Sequence, residues 1–112
     1  MFNINGILII ASINFDDGNK YVFSLNQDKL VLPEINIQKN LDTELDALFE
    51  KQTNFGAGWT TIKLIKAEII DNQLDVYYLA KIPFESIING FWIKGITASI
   101  INSHIKDCLI HV

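Results

Sequence analysis

Arginine is absent from this chain of 112 residues, and its positive charge rests on nine lysines scattered singly along it. Without arginine no guanidinium fork can grip a phosphate in two parallel bonds. No basic stripe compensates, because the net charge is −4. Nucleic acid is therefore not an expected partner. Cysteine occurs once, at Cys108, so no internal disulfide can form. A lone thiol on an apolar stripe reads as a small core residue. Long hydrophobic runs are lacking too. Ile7–Ala11 is apolar but far shorter than a membrane span and has no basic flank. No membrane insertion is expected, and the location expected is cytoplasmic. Gly56-Ala57-Gly58 lacks the Lys-Ser/Thr of a phosphate-cradling loop. Repeats, linkers and low-complexity tracts are missing as well, and no local signature accompanies the two histidines or any serine.

Apolar residues make up 49% of the chain, enough for a core without a metal or disulfide staple. The size predicts one domain over 1–112. Isoleucine, asparagine and lysine are over-used, as AT-rich coding produces in a bacterium or a virus of one.

Hydrophobic periodicity orders the elements. Ile4–Ile13 is nearly continuous and β-branched, which predicts a strand buried on both faces. Asn14 to Asn19, with Asp16-Asp17-Gly18 inside it, predicts a turn rather than a metal loop. Tyr21–Leu25 and Lys29–Leu32 follow as strands, the latter stopped by Pro33. Asp42–Thr53 predicts a helix, with Leu41, Leu45, Leu48 and Phe49 on one stripe, Asn40 or Asp42 as its cap and Asn54 at its end. Trp59–Ile70 and Leu74–Ala80 predict a hairpin turning at Asp71-Asn72-Gln73. Pro83 is placed to open a helical turn, and Phe91–Ile93 to form a short strand. A second helix is expected over Ile96–Leu109, with Ile96, Ile100, Ile101, Ile105, Cys108 and Leu109 on its buried face. Strands interleaved with two main helices predict an α/β (α+β) sandwich around a mixed sheet.

Specific residues carry a family resemblance on top of that order. Leu32-Pro33-Glu34-Ile35 stands where the Nudix family usually reads Leu-Pro-Gly-Gly. Leu48 to Phe55 (Leu-Phe-Glu-Lys-Gln-Thr-Asn-Phe) resembles the end of the Nudix box, Glu-Leu-x-Glu-Glu-Thr-Gly-Phe. Asp75–Ala80 with Ile82-Pro83, and Trp92-Ile93-Lys94 before the closing helix, are similar to later parts of the family's pattern. The resemblance spans nearly the whole chain and implies an α/β/α sandwich with a mixed sheet and two main helices. In the family the box glutamates hold Mg²⁺ or Mn²⁺ against a diphosphate. Aligned on the box, its arginine becomes Ala47, the neighbouring glutamate Leu48, and the later glutamate pair Lys51 and Gln52; the glycines become Glu34, Ile35 and Asn54. The apolar positions Leu45, Phe49 and Phe55 persist. The resemblance thus implies a degenerate Nudix box, a scaffold without its metal ligands and no cofactor.

Carboxylates elsewhere keep an alternative open. Asp42, Asp46 and Glu50 lie at i, i+4 and i+8 on one helix edge, as a relocated Mg²⁺ or Mn²⁺ site would require, though a solvated face opposite the apolar stripe is the favoured reading. Glu85 is a further candidate acid. Trp59 and Trp92 are the candidate ligand-binding residues, since an aromatic face can stack on a base. No metal or catalytic role is expected of His104 or His111. Three functions follow: a non-catalytic binding module for a nucleotide-like small molecule or a protein partner, a divergent metal-dependent nucleoside diphosphate hydrolase, and a small structural or assembly subunit such as a homodimer.

Overall fold

The architecture is built on β1 (Asn3–Asn14), a twelve-residue strand whose central residues are buried on both faces. Its side chains alternate across the sheet. Leu8 and Ile10 enter one apolar cluster with Leu45 and Phe49. Ile7, Ile9 and Ala11 enter another with Ile105, Cys108 and Leu109. A strand covered on both sides needs no polar face, hence the unbroken Ile7–Ala11 run.

The computed structural model describes residues 3–56 and 60–112. Elements β2 (Asn19–Ser24), β3 (Glu34–Asn36), α1 (Leu41–Thr53), β4 (Lys63–Ile70), β5 (Gln73–Lys81), β6 (Phe91–Lys94), α2 (Gly95–Ile101) and α3 (Ser103–Leu109) follow in order. The main path of the sheet runs β4-β5-β1-β2-β6, with β3 also paired to β1. β1 and β5 are parallel over nine residue pairs, from Asn3↔Gln73 to Ala11↔Lys81, and the other pairings are antiparallel. Parallel pairing demands a crossover, which carries α1 onto one face. α2 and α3 pack on the other. The result is an α/β/α sandwich. No helix of the described residues is long and apolar enough to cross a membrane.

Turn chemistry agrees with the sequence at both hairpins. Gly18 takes φ +73°, while Asn14 Oδ1 and Asp17 Oδ1 accept the amides of Asp16 and Asn19. Asp71 takes φ 55°, as a two-residue hairpin turn requires.

Four elements differ from the sequence reading. Lys29–Leu32 is not a strand. The buried Ser24 hydroxyl accepts the Val31 and Asn26 amides, and Leu25 N–H reaches Val31 O, so a side chain replaces the ladder. Leu30 and Leu32 then plug the core from a loop. β4 begins at Lys63, later than Trp59, which lies outside the described residues with Ala57 and Gly58. β3 follows Pro33, where the sequence reading ended a strand, while Pro83 opens the expected turn, closed by Ser86 N–H to Pro83 O. The closing helix is two helices, because Asn102 is extended at φ −135°, capping the end of α2 through its N–H and the start of α3 through Oδ1. The break also rotates α2, so that Gly95 and Ala98 face the sheet while Ile96, Ile100 and Ile101 face solvent.

α1 is held firmly at both ends. Asn40 Oδ1 accepts Thr43 N–H, and the Glu44 carboxylate folds back onto the amides of Gln38, Lys39 and Asn40 at 3.0–3.3 Å. These bonds hold Glu44 below the usual carboxylate range. At the other end Asn54 adopts the left-handed conformation, φ 60°, and its N–H reaches Glu50 O. Asn89 N–H and Nδ2 donate to the carbonyls of Gln52 and Lys51.

Asn54 occupies a position that glycine fills at no steric cost. Asn54→Gly is expected to leave the urea midpoint nearly unchanged. Asn54→Val is expected to destabilise by roughly 1–2 kcal/mol, because a β-branched residue resists positive φ. Equal midpoints for the two variants would show that the helix end is not held in this conformation.

Candidate functional site

Period-two alternation brings polar side chains from two central strands to one face. The parallel register sets Asn5 beside Asp75 and Ile7 beside Tyr77. Gln73, Asp75 and Tyr77 therefore share the face that packs toward α3. The loop from Leu25 to Glu34 walls one side, and the α2–α3 junction at Asn102–His104 walls the other. Together they bound an open cleft of about 860 Å³.

The chemistry of the cleft is acidic and hydrogen-bonding. Asp75 is almost fully buried, and its Oδ1 accepts Gln73 Nε2–H at 2.6 Å. The His104 ring lies against the Tyr77 ring with centroids 4.8 Å apart. Its Nε2 sits 2.9 Å from Oε2 of Glu68. Burial, and then the charges of Asp75, Glu68 and Glu34, push the Tyr77 phenol above its ordinary value. Among the described residues no lysine lines the cleft. Carboxylate acceptors, a phenol and an imidazole suit the hydroxyl and amino groups of a sugar or base, and they repel a bare phosphate.

The residues singled out from sequence are dispersed. Asp42 and Glu50 are exposed on α1 and Asp46 is half-buried. Glu85 is exposed in the loop after β5, beside Phe15 and Phe84 in a separate groove. Among the described residues no three of Asp, Glu, His and Cys come together in a group able to hold a metal. Trp92 lies on the α1 side of the sheet, opposite Phe23 in register, and stacks on Phe84 with centroids 5.7 Å apart. It is not part of the cleft wall. Trp59 lies outside the described residues. Cys108 is buried, and desolvation pushes its thiol up to about 11, so it behaves as a core residue.

His104, Asp75 and Glu68 were not marked by the sequence reading. Two signals pointed to them. Asp75 is a carboxylate within the otherwise apolar β5, and Asn102-Ser103 is a cap pair interrupting an isoleucine-rich helix.

No family model matches the sequence, and no curated protein matches it significantly. Solved structures do match. A MutT/Nudix family protein from Listeria innocua superposes with a TM-score of 0.73 at 9% identity, covering 97% of this chain and 92% of that one. The chain has the Nudix fold. The Caenorhabditis elegans Ap4A hydrolase in a binary complex matches with a TM-score of 0.66 at 12% identity, over 97% of this chain and 96% of its own. The Nudix domain of Shewanella oneidensis NrtR, complexed with ADP-ribose, matches at 0.67 and 10%, over 99% and 88%. At these identities the likeness concerns the fold.

The sequence resemblance aligns the second half of α1 with the end of the Nudix box. On that alignment the side chains of Ala47, Leu48, Lys51 and Gln52 do not fit a divalent cation. Ala47 is exposed, Leu48 packs partly on the core and Lys51 carries a positive charge. Gln52 is 6% exposed, and the carbonyls of Lys51 and Gln52 receive Asn89. A hard cation needs anionic oxygens, which Ala, Leu, Lys and a buried amide do not supply.

The raised Tyr77 value has a testable consequence. A group whose folded value lies above its unfolded value contributes stability that is fully present below the ordinary phenol value of 10.0 and lost as pH rises through the raised one. Tyr77→Phe should reduce the alkaline fall in urea midpoint. An unchanged slope would place the phenol in ordinary solvent.

Proposed function

We propose that this Nudix-fold domain is a non-catalytic binding module whose cleft takes the nucleoside-like part of a small molecule. The composition of α1 carries the reading. Where diphosphate hydrolysis on this fold calls for clustered carboxylates, the helix offers Ala47, Leu48, Lys51 and Gln52. The cleft supplies the other half. Its acids, phenol and imidazole match ribose hydroxyls and base amino groups, and the paired rings of Tyr77 and His104 offer an aromatic wall. A Nudix domain of the same fold has been crystallised with ADP-ribose, a ligand with two such ends. The absence of lysine around the cleft directs the phosphates of any such ligand outward.

Calorimetry with adenosine, AMP and ADP-ribose, each in EDTA, tests the proposal. Binding of at least one without divalent metal is expected. His104→Ala should weaken it roughly tenfold, the loss of one hydrogen bond and a ring contact. Incubation with Mg²⁺ or Mn²⁺ should leave each ligand intact. Metal-dependent cleavage that disappears in the Asp46→Asn, Glu50→Gln double variant would establish the hydrolase alternative instead. No binding of any of the three would refute the cleft assignment.

A further inference from the structure

Among the described residues β4 is a terminal strand of the sheet, with no strand paired to its outer edge over its eight residues. Such an edge is a template for another strand unless it is short, charged or covered. Here it is also apolar. On the α1 face of the sheet Leu64 is 55% exposed and Ile69 61% exposed, with exposed Ala67 between them. They share that face because they pair with Tyr78, Leu74 and Val76 respectively, and Val76 and Tyr78 belong to the cluster under α1. On the other face lie Lys66 and Glu68, opposite Tyr77 and Asp75.

We infer that β4 is a homodimerisation edge, and that the partner is a second copy of this chain paired antiparallel about a two-fold axis at Ala67. The sequence of the strand is complementary to itself in that register. Ala67 faces Ala67. Lys66 of each copy faces Glu68 of the other, giving two opposite-charge pairs on one face. The irregularity between Leu64 and Lys66 takes up one residue. Leu64 then faces Ile69, giving two apolar pairs on the other face. The irregularity is what sets Leu64 on the face of Ala67 and Ile69 rather than on that of Lys66 and Glu68, so the apolar and charged pairs fall on separate faces. Lys66 and Glu68 are already oriented by Asp107, at 3.1 Å, and His104, at 2.9 Å. Lys63 falls at the periphery, opposite Ile70. Directly opposite pairs are the units that stabilise a two-stranded contact, and a two-fold axis doubles each. Glu68 also touches His104 of the cleft wall, so the Ala67 cross-link, at a residue outside the cleft, separates this inference from the ligand reading.

Sedimentation equilibrium of the full chain over micromolar to millimolar concentration, with charge reversal, tests the pairing. The unaltered chain should dimerise. Lys66→Glu alone and Glu68→Lys alone set like charges opposite one another and should raise the dimer dissociation constant roughly tenfold. The double variant Lys66→Glu, Glu68→Lys should recover the original value. A parallel test needs no charge change. Ala67→Cys should form an intermolecular disulfide under mild oxidation, because opposed Cα atoms across antiparallel strands lie about 4.5–5.5 Å apart. Lys63→Cys, far from the axis, should not, and buried Cys108 should not compete. A monomer at all concentrations, dimers indifferent to the charge variants, or cross-linking at Lys63 in place of Ala67 would each overturn the inference.

Discussion

The parallel pairing of β1 with β5 is the constraint on which the rest of the molecule depends. Nine consecutive residue pairs lock the two strands. Their alternation sends one set of side chains to α1 and the other to α3. Because parallel neighbours cannot be joined by a tight turn, everything between them must leave the sheet and return. That excursion contains β2, β3, α1 and β4, and it places α1 over Leu8 and Ile10. The same register gathers Asp75 and Tyr77 beside Asn5 and Ile7, so the cleft is a direct product of the pairing.

The two faces of the sheet serve different ends. On the α1 face the helix is fastened by Asn40 and Glu44 at one end and by Asn54 and Asn89 at the other. The end of α1 carries a buried amide at Gln52 and a left-handed asparagine at Asn54. On the α3 face a kink at Asn102 exposes a rim of side chains next to the polar residues of β5. His104 joins both arrangements, since its ring rests on Tyr77 and its Nε2 holds Glu68 on the edge strand.

Much of this was legible in the sequence. The unbroken Ile7–Ala11 run announced a doubly covered strand, Leu45 and Phe49 announced the helix face, and Asp71-Asn72 announced a hairpin. Those signals are local, and the side chains that send them make the element they mark. What the sequence did not reveal depends on partners distant along the chain. Lys29–Leu32 has strand composition, yet the Ser24 hydroxyl takes the amide that a ladder would have used. Ile96, Ile100 and Ile101 look like a buried stripe, yet the extended Asn102 turns them outward. The cleft was hidden for the same reason. Asp75 and His104 are 29 positions apart in the numbering and meet only because β5 runs beside β1 and α3 packs beneath it.

The most direct measurement of the central reading is paramagnetic. Amide spectra of the labelled protein titrated with Mn²⁺ report any ordered cation by broadening the signals around it. The account predicts no localised broadening over Asp42–Thr53, because Ala47, Leu48, Lys51 and Gln52 carry no anionic oxygen. Selective broadening centred on Asp46 and Glu50, at metal well below saturation of the other surface acids, would contradict it.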